Sequence, residues 1–433
     1  MIGILAALCI TLPFPFAGVL VWTWFSLQNP HQEAYGFVQS LPINFGIALV
    51  TVSALLLSQE RKRPRNDIIF LIIAAFLAWV TFNGFFAFDR TWSWPYWDIT
   101  WKSFVLGLII SITANSRVRI HALLWVIVAS LFYFGIKGGL FTLATAGRFH
   151  VQGPADTIIA DNNQLAVALL MSLPLAYFLR AQSLNKWISR GLLAGMVLTI
   201  IAILGSYSRG AFIGLAALGI FALLRTRRRL LYLGFATTLV IFGFAFMPEM
   251  YDLRIQTIGS ASQDASFQGR LVAWKVAWDY AVDHFPFGAG FYGPQLPTLF
   301  HAYFPDETAH AAHSIYFQVL GEQGFIGLAL YLILLALAFL RCSSLASRAR
   351  AIPDQLWIAD LAVAIQASLL VFCVAAAALS MAYYDLFVIC VALLLPLTEM
   401  VGRPAAIEPR PAMPVVGGGR ESAARSSQGN AVR

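Results

Sequence analysis

Charge and cysteine are both scarce in this chain, and each shortage excludes a class of protein. Only 12% of the 433 residues are charged, whereas 59% are hydrophobic. A soluble domain of this length needs more polar surface than that to cover its core. The four cysteines offer neither a disulfide framework nor a zinc set. Most of the chain must therefore be surrounded by lipid.

The apolar residues form about twelve runs of roughly 14 to 25 residues, and a helix needs about 20 to cross a bilayer. We therefore predict an all-α, polytopic membrane protein with about twelve transmembrane helices. The runs cover residues 2–27, 41–58, 68–88, 103–115, 122–145, 165–179, 192–208, 211–224, 230–248, 314–340, 356–379 and 386–401. Pro13 and Pro15 could divide the first run into two short pieces.

Most of the 29 lysines and arginines lie in every second gap between these runs. Cationic residues stay on the cytoplasmic side of a membrane, so this alternation predicts the orientation of every span. The cation-rich gaps contain residues 61–65, 117–119, 180–190, 225–229 and 341–350. The net charge of +8 is thus a topology signal, and we do not predict nucleic-acid binding.

Two segments stand out from the predicted membrane domain of residues 1–401. Residues 402–433 are rich in Pro, Gly, Ser, Ala and Arg, which predicts a disordered cytoplasmic tail. Residues 249–313 are the long polar segment on the other face, and loops of that length are usually functional. Within this loop, residues 270–285 have helical periodicity with two tryptophans suited to a membrane surface. A second helical run is predicted from about Glu307 into the tenth span.

Two arginines on the loop side are candidates for binding an anion. Arg209 lies in a very short turn between the seventh and eighth spans, where it either reaches lipid phosphates or holds a bound substrate. Arg270 is the first residue of the predicted loop helix, where it is either simply solvated or part of the same site. Two converging guanidinium groups would suit a diphosphate without a metal ion.

Histidines next to the tenth span are candidates for proton transfer. His310 and His313 are three residues apart and would share one side of the predicted helical run. A neutral imidazole can take a proton from a hydroxyl nucleophile, although a structural role for each histidine stays open. Glu307 lies three residues before His310 and adds a third possible metal ligand to the two histidines. This pattern is short, so we predict no metal.

Other polar residues near these candidates have two open interpretations each. Glu322 lies between Gly321 and Gly324 near a predicted helix break, where it would orient a partner or line a cavity. The three residues before the sixth span would either cap its helix or hydrogen-bond sugar hydroxyls. These residues are Asp161, Asn162 and Asn163.

Several of these segments resemble a known superfamily. Ser208-Arg209-Gly210 before an apolar span, Arg270 at the start of a Trp-bearing helix, and "HSIYFQVLGEQGFIGL" from His313 resemble the O-antigen ligase and polymerase superfamily of bacterial envelopes. More narrowly, "FSLQNPH", "IKGG" and "DNNQLAVALLMSLPL" are similar to the O-glycosylation ligases that accompany exosortase A systems. The resemblance covers almost the whole membrane domain and excludes the tail.

The resemblance implies a glycosyltransferase of the GT-C type in the bacterial inner membrane, with its active site facing the periplasm. It would transfer a glycan from undecaprenyl diphosphate to a hydroxyl of a protein Ser or Thr or of a lipid sugar, with no cofactor or metal. The essential arginines of the ligases map onto Arg209 and Arg270, and their loop histidine maps onto His313. Many relatives have Asn after this histidine, where this chain has Ser314.

Two other functions stay open at this point. A polymerase of lipid-linked glycan repeat units would use the same residues. A transporter would need charges deep in the bundle, for which Lys137 and Asp360 are the candidates.

Overall fold

The computed structural model describes residues 10–34, 36–58, 66–225 and 265–402. Within these ranges the regular secondary structure is helical, with no strand. The main helices are α1 (Pro15–Gln28), α2 (Ile43–Leu57), α3 (Ile68–Gly84), α4 (Arg90–Thr113), α5 (Arg117–Ala144), α6 (Asn162–Gln182), α7 (Lys186–Gly205), α8 (Arg209–Arg225), α9 (Ala265–Asp283), α10 (Pro297–Tyr303), α11 (Ile315–Arg350), α12 (Leu356–Ala375) and α13 (Asp385–Met400). The predicted span at 230–248 and the tail after residue 402 lie outside the described residues.

Five of the described helical segments are long and apolar enough to cross a membrane. They are α5, α6, α7, α11 and the segment Pro353–Ala378 that contains α12. The helices α2 and α3 are apolar but shorter. This supports the predicted all-α membrane protein, whereas the number of twelve spans stays a prediction.

Local capping explains where several helices begin. Asp67 accepts a hydrogen bond from the Ile69 backbone N–H (2.9 Å) before α3, and Asp89 accepts one from Thr91 (2.8 Å) before α4. Because of the Asp89 cap, α4 begins well before the apolar run predicted at 103–115, in a stretch rich in tryptophan. At the first predicted span, α1 begins at Pro15, a position that proline favours.

The predicted break near Glu322 is confirmed within α11. Gly324 has a φ of 70°, and the helix continues on both sides of it. A Cβ atom at this position would lie 2.2 Å from the carbonyl oxygen of Pro286, so the loop after α9 packs directly on the break. Glycine is required here both by the backbone conformation and by this contact.

The helices α12 and α13 occupy the centre of the described bundle. Every residue of α13 from Asp385 to Leu397 is buried, and α12 packs against α6, α8 and α11. The connection between α12 and α13, residues 376–384, therefore reaches the ends of several helices. This connection holds much of the candidate site in position.

Candidate functional site

His313 lies in an irregular segment between α10 and α11 that other parts of the protein hold in place. Its backbone N–H donates to Ser380 Oγ (3.0 Å), and the indole N–H of Trp274 donates to the carbonyl oxygen of Ala312 (2.6 Å). His313 itself has a φ of 44°. The helical run predicted from Glu307 is therefore wrong, because tertiary hydrogen bonds replace the helical ones.

The structure brings three of the predicted residues within electrostatic reach of His313. Burial lowers the pKa of the His313 imidazole, the nearby Arg270 guanidinium lowers it further, Asp161 opposes this, and His310 adds to the lowering. The imidazole is thus mostly neutral near pH 7, as a proton acceptor must be. We call Arg270, His310, His313 and Asp161, together with Arg209 as predicted from the sequence, the arginine–histidine site.

The helix α9 positions Arg270 and His310. It begins at Ala265, so Arg270 lies in its second turn, and the prediction that Arg270 is its first residue is wrong. The His310 ring lies against Gly269, where a Cβ atom would be 2.8 Å from the ring Cδ2. Glycine before Arg270 therefore makes room for this histidine.

Trp274 packs α9 against the start of α11. Its ring is stacked on Phe317, with centroids 4.8 Å apart and planes at 5°. Trp274 is half-buried by these contacts, and its place at the membrane surface stays a prediction. Trp278, one turn later, is 50% exposed and contacts Phe325 edge to face.

Arg209 begins α8, and the turn before it is anchored to the same region. The Ser208 side chain caps the helix by accepting from the Ala211 N–H (3.2 Å). A Cβ atom on Gly210 would lie 3.0 Å from the carbonyl oxygen of Ala375, the last residue of α12. The connection that follows Ala375 carries Ser380, which binds the His313 backbone. The turn of Arg209 and the segment of His313 are thus held by one connection.

The residues before α6 form the predicted helix cap. Asp161 Oδ1 accepts from the Asn163 backbone N–H (2.9 Å) and from the Asn163 side chain (2.8 Å). Asn162 donates its side-chain amide to the carbonyl oxygen of Ser206 (2.6 Å), three residues before Arg209. Asn162 therefore links the α6 cap to the turn of Arg209, while sugar binding by these residues stays a prediction.

Glu322 is buried and connects three segments. Its carboxylate accepts from the Tyr383 hydroxyl (2.8 Å) and from the Tyr292 backbone N–H (3.2 Å). Its backbone carbonyl accepts from the Asn83 side chain (2.8 Å) and from the Gly290 N–H (2.9 Å). Glu322 thus fixes the connection that also carries Ser380, which fits the predicted role of orienting a partner.

The two charges that a transporter would need lie near helix ends. Lys137 Nζ is 3.3 Å from a carboxylate oxygen of Glu33, and the Lys137 side chain is 66% exposed. Asp360 is exposed near the start of α12, within electrostatic reach of Arg350. Neither residue marks a path through the interior of the bundle.

Sequence reasoning missed three contacts: the one from Ser380 to the His313 backbone, the one from Asn162 to Ser206, and the one from Trp274 to Ala312. A serine in an apolar stretch such as "ALSMAYYD" carries no local signal of its tertiary partner. Within the described ranges, no group of three His, Cys, Asp or Glu side chains is arranged to hold a metal ion. The arginine–histidine site combines cationic groups with a neutral imidazole, so it can bind an anion and accept a proton.

Two family models match this chain. Residues 194–332 match a family described as O-antigen ligase, and residues 1–184 match a family of unknown function (DUF5935). No curated protein matches. The first match contains Arg209, Arg270, His310, His313 and Glu322, whereas the α6 cap lies in the second. These findings support a membrane enzyme that processes glycans.

Proposed function

Because residues 194–332 form a domain of the O-antigen ligase/polymerase superfamily, we propose that this protein is a membrane glycosyltransferase of the GT-C type with twelve spans. It transfers a glycan from undecaprenyl diphosphate to an acceptor hydroxyl, on the periplasmic face of the bacterial inner membrane and without a metal. The acceptor is a Ser or Thr of a protein or a sugar of a lipid.

The observation that carries this proposal is that α9 holds the His310 ring against Gly269, next to Arg270, and binds the backbone next to His313 through Trp274. Burial and Arg270 also lower the pKa of His313, which favours the neutral imidazole. A lipid-linked diphosphate is already a good leaving group, so the protein must mainly neutralise its charge and position the acceptor. Guanidinium groups bind phosphate oxygens bidentately. Arg270 supplies one such group, and Arg209 supplies a second from the turn that the α12–α13 connection anchors.

The proposed reaction is a single displacement. The acceptor oxygen attacks the anomeric carbon of the glycan while its proton moves to the His313 imidazole. The bond between the anomeric carbon and the phosphate oxygen breaks, and undecaprenyl diphosphate leaves with its charge bound by Arg209 and Arg270. Attack from the side opposite the leaving group inverts the anomeric configuration, so product analysis that shows retention would contradict this step.

The alternation of cations supports the proposed orientation. Arg341 binds Asp67 through two contacts (2.6 and 3.3 Å), and this pair lies beyond the break of α11, away from His313. Arg225 is the last residue of α8, which begins at Arg209. Arg350 is the last residue of α11, which follows His313. The cation-rich ends therefore lie opposite the arginine–histidine site, which agrees with a site on the periplasmic face.

The test is glycan transfer in cells that lack the native copy of this chain. Arg209→Ala, Arg270→Ala and His313→Ala should each abolish transfer while the protein still inserts in the membrane. Lys275→Ala is the matched control, because Lys275 is a cation on the same helix as Arg270, and its Nζ lies over the Phe304 ring, 5.3 Å from the centroid. Wild-type transfer by all three variants would refute the proposal.

Three measurements separate the alternatives. A polymerase elongates the lipid-linked glycan, so a ladder of lengthened lipid intermediates would favour it over a ligase. Loss of a glycan mass on secreted proteins after deletion would identify a protein acceptor. Substrate uptake that survives His313→Ala with unchanged glycans would instead favour a transporter.

A further inference from the structure

A second polar site lies at the other ends of α8 and α11. A cavity of about 480 Å³ is lined by Arg225, Ser343, Ala346, Ser347 and Arg350. Arg225 is the last residue of α8 and Arg350 is the last residue of α11. Because α8 begins with Arg209, this cavity is one helix length away from the arginine–histidine site.

Arg225 is held in a fixed orientation by the protein. Its Nη2 donates to Gln366 Oε1 (2.6 Å), and Gln366 is only 1% exposed. The Gln366 amide in turn donates to Ser343 Oγ (2.7 Å) and to the Phe339 carbonyl oxygen (3.2 Å). A guanidinium group oriented in advance loses less entropy when it binds a ligand than a free surface side chain does.

The charge of the cavity favours an anion. Arg225 and Arg350 are close enough to repel each other electrostatically. Asp360 lies within reach of Arg350 and offsets part of this charge. In the sequence, Arg227, Arg228 and Arg229 follow Arg225 after Thr226. The local balance is positive, and an anion between the two guanidinium groups would relieve their repulsion.

We propose that this cavity binds a phosphate group between Arg225 and Arg350. Two guanidinium forks and the hydroxyl of Ser347 match the oxygens of a phosphate. The headgroup of an anionic phospholipid and soluble inorganic phosphate both present this chemistry. The predicted orientation puts the cavity at the cytoplasmic surface, where anionic headgroups concentrate.

The test measures ligand binding to the full chain purified in detergent. Phosphatidylglycerol, phosphatidylcholine and inorganic phosphate are titrated separately, and bound ligand is counted by native mass spectrometry. Arg350→Gln should weaken phosphatidylglycerol binding at least about tenfold, because it removes a charge-assisted contact. Arg348→Gln is the matched control: Arg348 is exposed near the same helix end but does not line the cavity.

Each outcome decides the proposal. Binding of phosphatidylglycerol but not of phosphatidylcholine supports a lipid headgroup if Arg350→Gln loses it and Arg348→Gln keeps it. Binding of inorganic phosphate that is lost in the same variant supports the phosphate site with a soluble source. Equal weakening by Arg348→Gln would indicate diffuse surface charge and overturn the proposal. Wild-type binding by both Arg350→Gln and Arg225→Gln, or no binding of either phosphate ligand, would also overturn it.

Discussion

Trp274→Phe isolates one hydrogen bond that positions His313. Phenylalanine keeps an aromatic ring against Phe317 but removes the donor to the Ala312 carbonyl oxygen, which is 2.6 Å from the indole nitrogen. Losing a partner of a part-buried acceptor costs about 1 to 2 kcal/mol. If this cost is felt in the transition state, glycan transfer should slow by about five- to thirtyfold.

Trp278→Phe provides the control for this substitution. Trp278 lies one turn further along α9, is 50% exposed, and contacts Phe325 through its ring. The assay is the initial rate of transfer at saturating donor, with thermal unfolding measured on the same samples. Equal rates in the two variants would refute the idea that the Ala312 contact positions His313. A slower rate with an unchanged unfolding temperature would separate positioning from general stability.

Three further predictions concern the same site and its support. Transfer should fail as the pH falls through the lowered pKa of His313, which a pH–rate profile of the wild type would detect. Arg270→Gln should raise that pKa, because it removes the nearby positive charge, and an NMR titration of the His313 imidazole in the purified variant would detect the rise. Gly324→Ala should lower the free energy of unfolding by about 1 to 2 kcal/mol or more, since alanine is strained at a φ of 70°. Gly191→Ala is the control and should not lower the free energy of unfolding, because Gly191 has open space around it. Denaturation in detergent would detect the difference between the two variants. Asn162→Leu should reduce transfer by about five- to thirtyfold through loss of the Ser206 contact, and a rate equal to wild type would exclude that link.

The sequence predicted the all-α fold class better than the local geometry of the candidate site. Arginine in a short turn and histidine before a span are visible in the sequence because both are costly near lipid. The break at Gly324 was predictable as well, since glycine marked it. These features depend on local chemistry, which the order of residues records directly.

The local geometry around His313 depended on distant partners. Spacing alone favoured a helix from Glu307, but Trp274 and Ser380 bind the backbone there instead. Likewise, α9 extends to Ala265 beyond its predicted start at Arg270. Apolar periodicity does not predict the residue at which a helix begins or ends, because the free N–H and C=O groups of a helix end bind neighbouring groups in the folded structure.

The α12–α13 connection explains why the ligase domain needs residues beyond its matched range. That range ends at residue 332. Yet Ala375 packs on the turn of Arg209, Ser380 holds the His313 backbone, and Tyr383 binds the Glu322 carboxylate. Each contact comes from outside the matched range and acts on a different candidate residue within it. A fragment of residues 194–332 therefore contains Arg209, Arg270, His313 and Glu322 but lacks the contacts from Ala375, Ser380 and Tyr383 that position them.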